Sequence, residues 1–163
     1  MGRGQPVMRA PVFAAFLACQ AGFAGAETLD CADDRVTVAG GFGEAQFKVA
    51  VADDPDERAR GLMFVPEMPV MSGMLFVYER PQPASFWMRN TLIPLDMLFA
   101  DRQGVITRVH REAVPLDETP IPGGDSVYAV LEINGGMAER LGIAEGDVLI
   151  HPALGPDAAR PCG

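Results

Sequence analysis

Trp87-Met-Arg-Asn-Thr91, followed by Asp96, is where side chains able to do chemistry are most concentrated in this chain. Trp87 is the only tryptophan. It offers a flat apolar platform with one donor, and Arg89, Asn90, Thr91 and Asp96 add directional polar groups. That mixture suits a small pocket or a sugar-like ligand. The same residues also have a structural use. Asn90 and Thr91 can cap a turn ahead of Pro94, and Asp96 can accept from that loop's amides. Strand alternation through Ser85–Asn90 would put Trp87, Arg89 and Thr91 on one face and Phe86, Met88 and Asn90 on the other.

Two other groupings could carry chemistry. Met68, Met71 and Met74 recur every three residues, and Pro66 and Pro69 favour a polyproline II turn that would align their thioethers. Thioethers select Cu(I), and Met63, Met88 and Trp87 could complete such a site. Methionine is also a common filler of irregular cores. Among carboxylates, Glu132 and Asp147 sit at strand ends, and with Asp96 they could provide an acid and a base for glycoside hydrolysis. Turn hydrogen bonds for Asp147 and a partly solvated Glu132 are the plainer expectation. Asp53, Asp54, Asp56 and Glu57 lack calcium-loop spacing. There is no Gly-x-Ser-x-Gly, no phosphate-binding loop ending in Lys, no His-Glu-x-x-His and no Cys-x-x-Cys, and His110 and His151 stand alone. No catalytic residue and no cofactor are expected.

These groups must be positioned by short elements. Arg35–Ala39 and Gln46–Ala52 alternate as strands, with Phe47, Val49 and Val51 on one face. Asp54 can cap a short helix with Pro55 at its first position, Glu57 three residues after the cap and Gly61 at its end. Val65–Ser72 reads as loop. Met74–Tyr78, Ser85–Asn90, Leu95–Ala100 and Val105–His110 are strand-like runs separated by Pro81 and Pro83, by Pro94 and by Asp101–Gly104. Leu116–Asp125 reads as a long loop and Val127–Ile133 as a strand. Asn134 caps a helix over Gly135–Leu141, Gly142 ends it, and Val148–His151 is the last strand.

The first 26 residues predict an export signal: Arg3 and Arg9, the apolar run Ala10–Cys19, then Ala24-Gly-Ala26 as a cleavage site. Translation from Met1 or from Met8 would each leave a complete signal. The apolar run is too short to be a stable membrane span, so the expected destination is the periplasm or the exterior. Arg3 and Arg9 belong to this signal, which leaves 11 of the 13 basic residues against 22 acidic ones, a net −11. That balance opposes nucleic acid and anionic membranes as partners. Cys31 and Cys162 bracket the remaining chain and predict a disulfide in an oxidising compartment.

Four ordered motifs extend the reading: Gly61-Leu-Met-Phe64, Gly73-Met-Leu-Phe76, Ser85–Phe99, and the run from Tyr128 through Leu131-Glu-Ile-Asn-Gly-Gly136 to Asp147. From Phe47 to Ile150 the chain resembles the bacterial and archaeal family known as domain of unknown function 192. The resemblance implies a β fold and no particular activity. The expected organisation is a signal over 1–26, a polar segment with the first strand over 27–46, a family β domain over 47–151 and a tail over 152–163. The expected fold is mainly β, a single-domain antiparallel sandwich or barrel-like structure with two short helices. The expected function is a non-catalytic binding or accessory module using Trp87, Arg89, Asn90, Thr91 and Asp96. Its partner would be a small molecule, a glycan or an envelope protein. The alternatives are an envelope glycan hydrolase and a Cu(I) binder using Met68, Met71 and Met74.

Overall fold

The computed structural model describes residues 1–2 and 31–162. The export signal lies almost wholly outside the described residues, as does the start of the 27–46 segment.

Strands β1 (Arg35–Gly40) and β2 (Gly43–Ala52) form a hairpin through Gly40–Gly43. Alternation along β2 buries Ala45, Phe47 and Val49 and leaves the residues between them in water. Helix α1 (Pro55–Arg60) follows the expected capping: the Asp54 carboxylate accepts from the Glu57 amide at 2.8 Å and Pro55 opens the helix. The chain then crosses over through residues 61–71 and returns as β3 (Ser72–Phe86), which pairs with β2 in parallel. A parallel neighbour needs such a crossover. Every other strand pairing among the described residues is antiparallel, so the sheet is mainly antiparallel, as expected.

β4 (Leu95–Ala100), β5 (Ile106–Ala113), β6 (Ile121–Asn134), α2 (Met137–Leu141) and β7 (Val148–Ile150) complete the order. One seven-stranded sheet, β5-β4-β6-β3-β2-β1-β7, curls into a half-barrel. Its two edges meet at one end, where Val105 bridges Val148, the Ile106 amide donates to the Asp147 carbonyl at 2.8 Å, and the Leu149 amide donates to Gly104 at 2.8 Å. That closure satisfies edge groups that would otherwise be open to pairing with another chain. The mainly β fold with two short helices agrees with the sequence reading, and the curled sheet corresponds to its barrel-like alternative.

Both faces of the central strands are covered, which explains why all six residues of β4 are buried. Neighbouring residues divide between two cores. Leu75, Leu98, Leu131 and Ile133 join the first, capped by Met137 and Ala138 of α2 and by Leu154. Phe76, Met97, Phe99 and Val130 join the second, on the opposite face, covered by Leu62, Met88 and Ile121.

Three expectations fail along β3 and β6. Pro81 and Pro83 do not end a strand; they lie where β3 changes register against β6, between Val77, Gln82 and Ala84, so the missing amide costs no ladder bond. Likewise Pro122–Gly124 belongs to β6, not to a loop. Strand structure instead ends at Phe86, and Trp87–Asn90 turns away, with Asn90 at φ 56°. The strand alternation expected for Trp87 to Thr91 therefore does not apply.

The segment after β7 is integrated into the fold. A 3₁₀ turn over Pro152–Leu154 leads to buried Ala158, the Ala159 amide donates to Gln103 at 2.8 Å, and Cys162 is joined to Cys31. Among the described residues no helix is long and apolar enough to cross a membrane.

Candidate functional site

On the second face of the sheet, the crossover and the turn after β3 leave a hollow of about 220 Å³. Arg58 and Arg60 of α1 line it from one side, with Gly61, Leu62 and Met63 following. β3 contributes Phe76, Tyr78, Ser85 and Phe86, the turn contributes Trp87 and Thr91, and β6 contributes Glu132. Rings support one another here. Phe86 meets Phe76 edge-on at 5.1 Å and Phe99 at 5.6 Å, a favourable arrangement for aromatic pairs.

Glycine at two positions permits this packing. Gly61 adopts φ 50°, ending α1 and turning the chain over the Phe76 ring. Gly73 passes so close to β6 that a Cβ would stand 2.2 Å from the Glu132 carbonyl oxygen. Any larger residue there would push apart the two strands that carry Tyr78 and Glu132. Both glycines open the short echo motifs noted in the sequence.

Glu132 is the unusual member. It sits on β6 opposite Met74 of β3 and Met97 of β4, only 4% exposed. Its carboxyl makes no hydrogen bond and no ion pair with any described residue. Burial alone pushes it up to about 8, so at neutral pH it is largely protonated. Tyr78 is also raised, chiefly by burial, with Arg58 opposing and Glu132 reinforcing the shift. The Arg58 guanidinium lies 5.2 Å from the Tyr78 ring centre and is engaged elsewhere, with the Asp53 carbonyl, with Val77 O at 3.0 Å and with Glu79 Oε1 at 3.1 Å.

The residues singled out from sequence separate here. Trp87 is 45% exposed and lines the hollow, and the exposed Arg89 guanidinium lies 5.4 Å from its ring centre on a cation–π contact. Thr91 is buried and also lines the hollow; its amide donates to Met88 O at 3.0 Å. Asn90 shapes the turn: its carbonyl accepts from the Phe64 amide at 2.8 Å, and its Nδ2 reaches Met63 Sδ at 3.8 Å. Asp96 lies outside the hollow. It is fully buried and accepts from the Glu112 amide at 2.8 Å, from Gly136 at 3.0 Å and from Ala138 at 2.7 Å. It thus holds the start of α2, the role expected of Asn134. Asn134 instead donates to the loop carbonyls of Met68 and Pro69 at 3.3 and 2.9 Å.

Neither Asp96 nor Asp147 lines the hollow with Glu132. Asp147 closes its own turn by accepting from the Ala144 amide at 2.8 Å. Met68 and Met74 pack against the second core, whereas Met71 is exposed. Among the described residues no three His, Cys, Asp or Glu gather to hold a metal. His151 is buried between the Asp33 carbonyl and the Ala153 amide, and burial lowers its pKa. A larger open groove of about 990 Å³ runs past Asp101, Arg108, Asp125 and Glu145, but none of its charged residues is buried.

Sequence reasoning did not find Arg58, Arg60 or Tyr78, and it took Glu132 as partly solvated. The available signal was local. Within Tyr128-Ala-Val-Leu-Glu-Ile133, Glu132 falls on the same alternating face as Val130, a face that also proves to be buried.

Comparison with known proteins agrees with this architecture. No curated protein matches the chain significantly. A crystal structure of a protein of unknown function from Novosphingobium aromaticivorans is similar at 46% identity and TM-score 0.69, covering 71% of this chain and 82% of that one. A putative transcription regulator from Sinorhizobium meliloti is similar at 40% identity and TM-score 0.70, covering 73% and 93% respectively. The DUF192 family model, described as Uncharacterized ACR, matches residues 36–151, and the chain belongs to that family.

Proposed function

We propose that this protein is a non-catalytic binding module for a small molecule, with the hollow between α1, β3, β6 and the Trp87 turn as its site. The observation that carries the reading is Glu132: a carboxyl 4% exposed, without a hydrogen-bond partner among the described residues, lining a hollow walled by aromatic rings. Among the described residues no fully buried side-chain oxygen lacks a partner, so the Glu132 carboxyl oxygens open into the hollow, where a ligand's donors can reach them. A fold keeps such a group readily where a ligand completes it. Trp87 supplies a half-exposed platform at the same hollow, and Arg89 steadies its ring from outside.

The working place we propose is the periplasm or another exported space. Support comes from the charged, apolar and small-residue order of the first 26 residues and from the Cys31–Cys162 bridge.

Trp87→Ala tests the site. Because Trp87 is exposed at 45%, the substitution leaves the melting temperature nearly unchanged. In a ligand-observed NMR screen of small amines, sugars and carboxylates, every compound that binds the wild type loses its signal with the variant. A screen that responds equally to both proteins removes the hollow from consideration.

A further inference from the structure

The hollow has a chemical preference that its lining defines. Among the described residues its one carboxyl, Glu132, has no hydrogen-bond donor, and the rings of Phe76, Tyr78, Phe86 and Trp87 stand around it. Aromatic faces carry negative electrostatic potential and attract cations. We propose that the hollow takes a small organic ammonium ion, whose N–H donors supply the partner that Glu132 lacks. This inference rests on the binding reading given above and narrows it to one class of ligand.

Charge and size fit. The chain carries a net −9, which draws cations toward it at long range. At 220 Å³ the hollow equals about seven waters, room for a compact amine. The ionisable groups that line it with Glu132 are Tyr78 from β3 and Arg58 and Arg60 from α1, while the Trp87 turn brings Arg89 and the neighbouring position on β4 is the uncharged Met97. Of these cations, Arg58 is committed to two carbonyls and Glu79, and Arg89 is stacked on Trp87. Arg60 is exposed, none of the three is hydrogen-bonded to Glu132, and burial sets the acidity of that carboxyl.

Binding is then linked to a proton. Before an ammonium binds, Glu132 near pH 7 is largely protonated. When an ammonium enters, the carboxyl proton leaves to solvent and a carboxylate–ammonium pair forms, so one proton is released for each ligand bound. Affinity rises about tenfold per pH unit below about 8 and levels off above it.

The test is isothermal titration calorimetry with n-butylammonium, ethanolammonium and tetramethylammonium, beside n-butanol, glucose and butyrate as neutral and anionic probes. Runs in two buffers of different ionisation enthalpy count the protons. The expected result is binding of the ammonium probes that can donate N–H, with release approaching one proton at pH 7. Glu132→Gln weakens that binding about thirtyfold or more and abolishes the pH dependence. The variant keeps the size and polarity of the protonated acid, and its melting curve confirms that it folds. If the neutral or anionic probes bind in a Trp87-dependent way and the amines do not, the ammonium assignment falls while the binding site stands. If no probe of any class binds, the binding reading falls with it. Amine binding that is unchanged in Glu132→Gln also overturns the assignment.

Discussion

At the scale of single residues, Glu132 ties stability to pH in a direction opposite to that of most carboxylates. In the unfolded chain this group ionises near 4.5, and in the folded protein near about 8. Between those values the folded state holds a proton that the unfolded state has released. Stability therefore falls as pH rises across that window, by about 1.4 kcal/mol per unit, and levels off above it. Glu132→Gln removes this slope. Urea unfolding of both proteins from pH 5 to 8.5 is expected to show the variant gaining on the wild type as pH rises. His151, whose lowered value acts in the opposite sense near its own pKa, is common to both proteins and cancels in the difference. A difference that stays constant with pH would mean that Glu132 is not the buried acid described here. The sequence marks Glu132 as a carboxylate near a strand end but not as a buried one. Its burial depends on α1 and the Trp87 turn folding over β6, and no local pattern encodes that.

At the scale of elements, Asp96 joins three parts of the fold. One carboxylate on β4 accepts amides from β5, from the approach to α2 and from α2 itself. Helix α2 begins at Gly136 without a side-chain cap of its own, so Asp96 supplies one from 40 residues upstream. Asp96→Ala leaves three donors without their acceptor. Only the Ala138 donor is fully buried, at about 1–3 kcal/mol for such a group, and the part-buried Glu112 and Gly136 donors add less, so the expected loss is about 2–3 kcal/mol. Chemical denaturation measures it directly, and a change below about 1 kcal/mol would show that this clamp carries no weight. Local signals were sufficient for β1, β2 and α1, where alternation and the Asp54 cap lie within a few residues of one another. They failed where partners are distant. The cap of α2 comes from β4, and Pro81 and Pro83 stay within a strand because of a register shift against β6. The same distance effect divided the candidate site. Asn90 and Asp96 serve the backbone, whereas Trp87 and Thr91 line a hollow whose other walls come from α1, β3 and β6.

At the scale of the molecule, the sheet is curled and then tied. β5 and β7, first and last in strand order, meet through Val105 and Val148. The chain beyond β7 reinforces that closure through the Ala159 amide on Gln103 and the Arg160–Glu44 ion pair at 2.9 Å. The Cys31–Cys162 bridge then links the two ends across 131 residues, enclosing the entire sheet in one covalent ring. The terminal cysteine pair was legible in sequence; the closure that brings the ends together was not, since it depends on strand order. Chain-entropy arguments assign so long a loop about 4–5 kcal/mol, because cross-linking removes conformations mainly from the unfolded state. The paired substitution Cys31→Ser with Cys162→Ser is therefore expected to lower unfolding free energy by about that amount while leaving the far-ultraviolet circular dichroism spectrum unchanged. Neither cysteine lines the hollow, so any ligand affinity measured at Trp87 and Glu132 should survive in the folded double variant. Equal urea midpoints for the bridged and unbridged proteins would show that the curled sheet and its edge closure hold the ends together without the covalent tie.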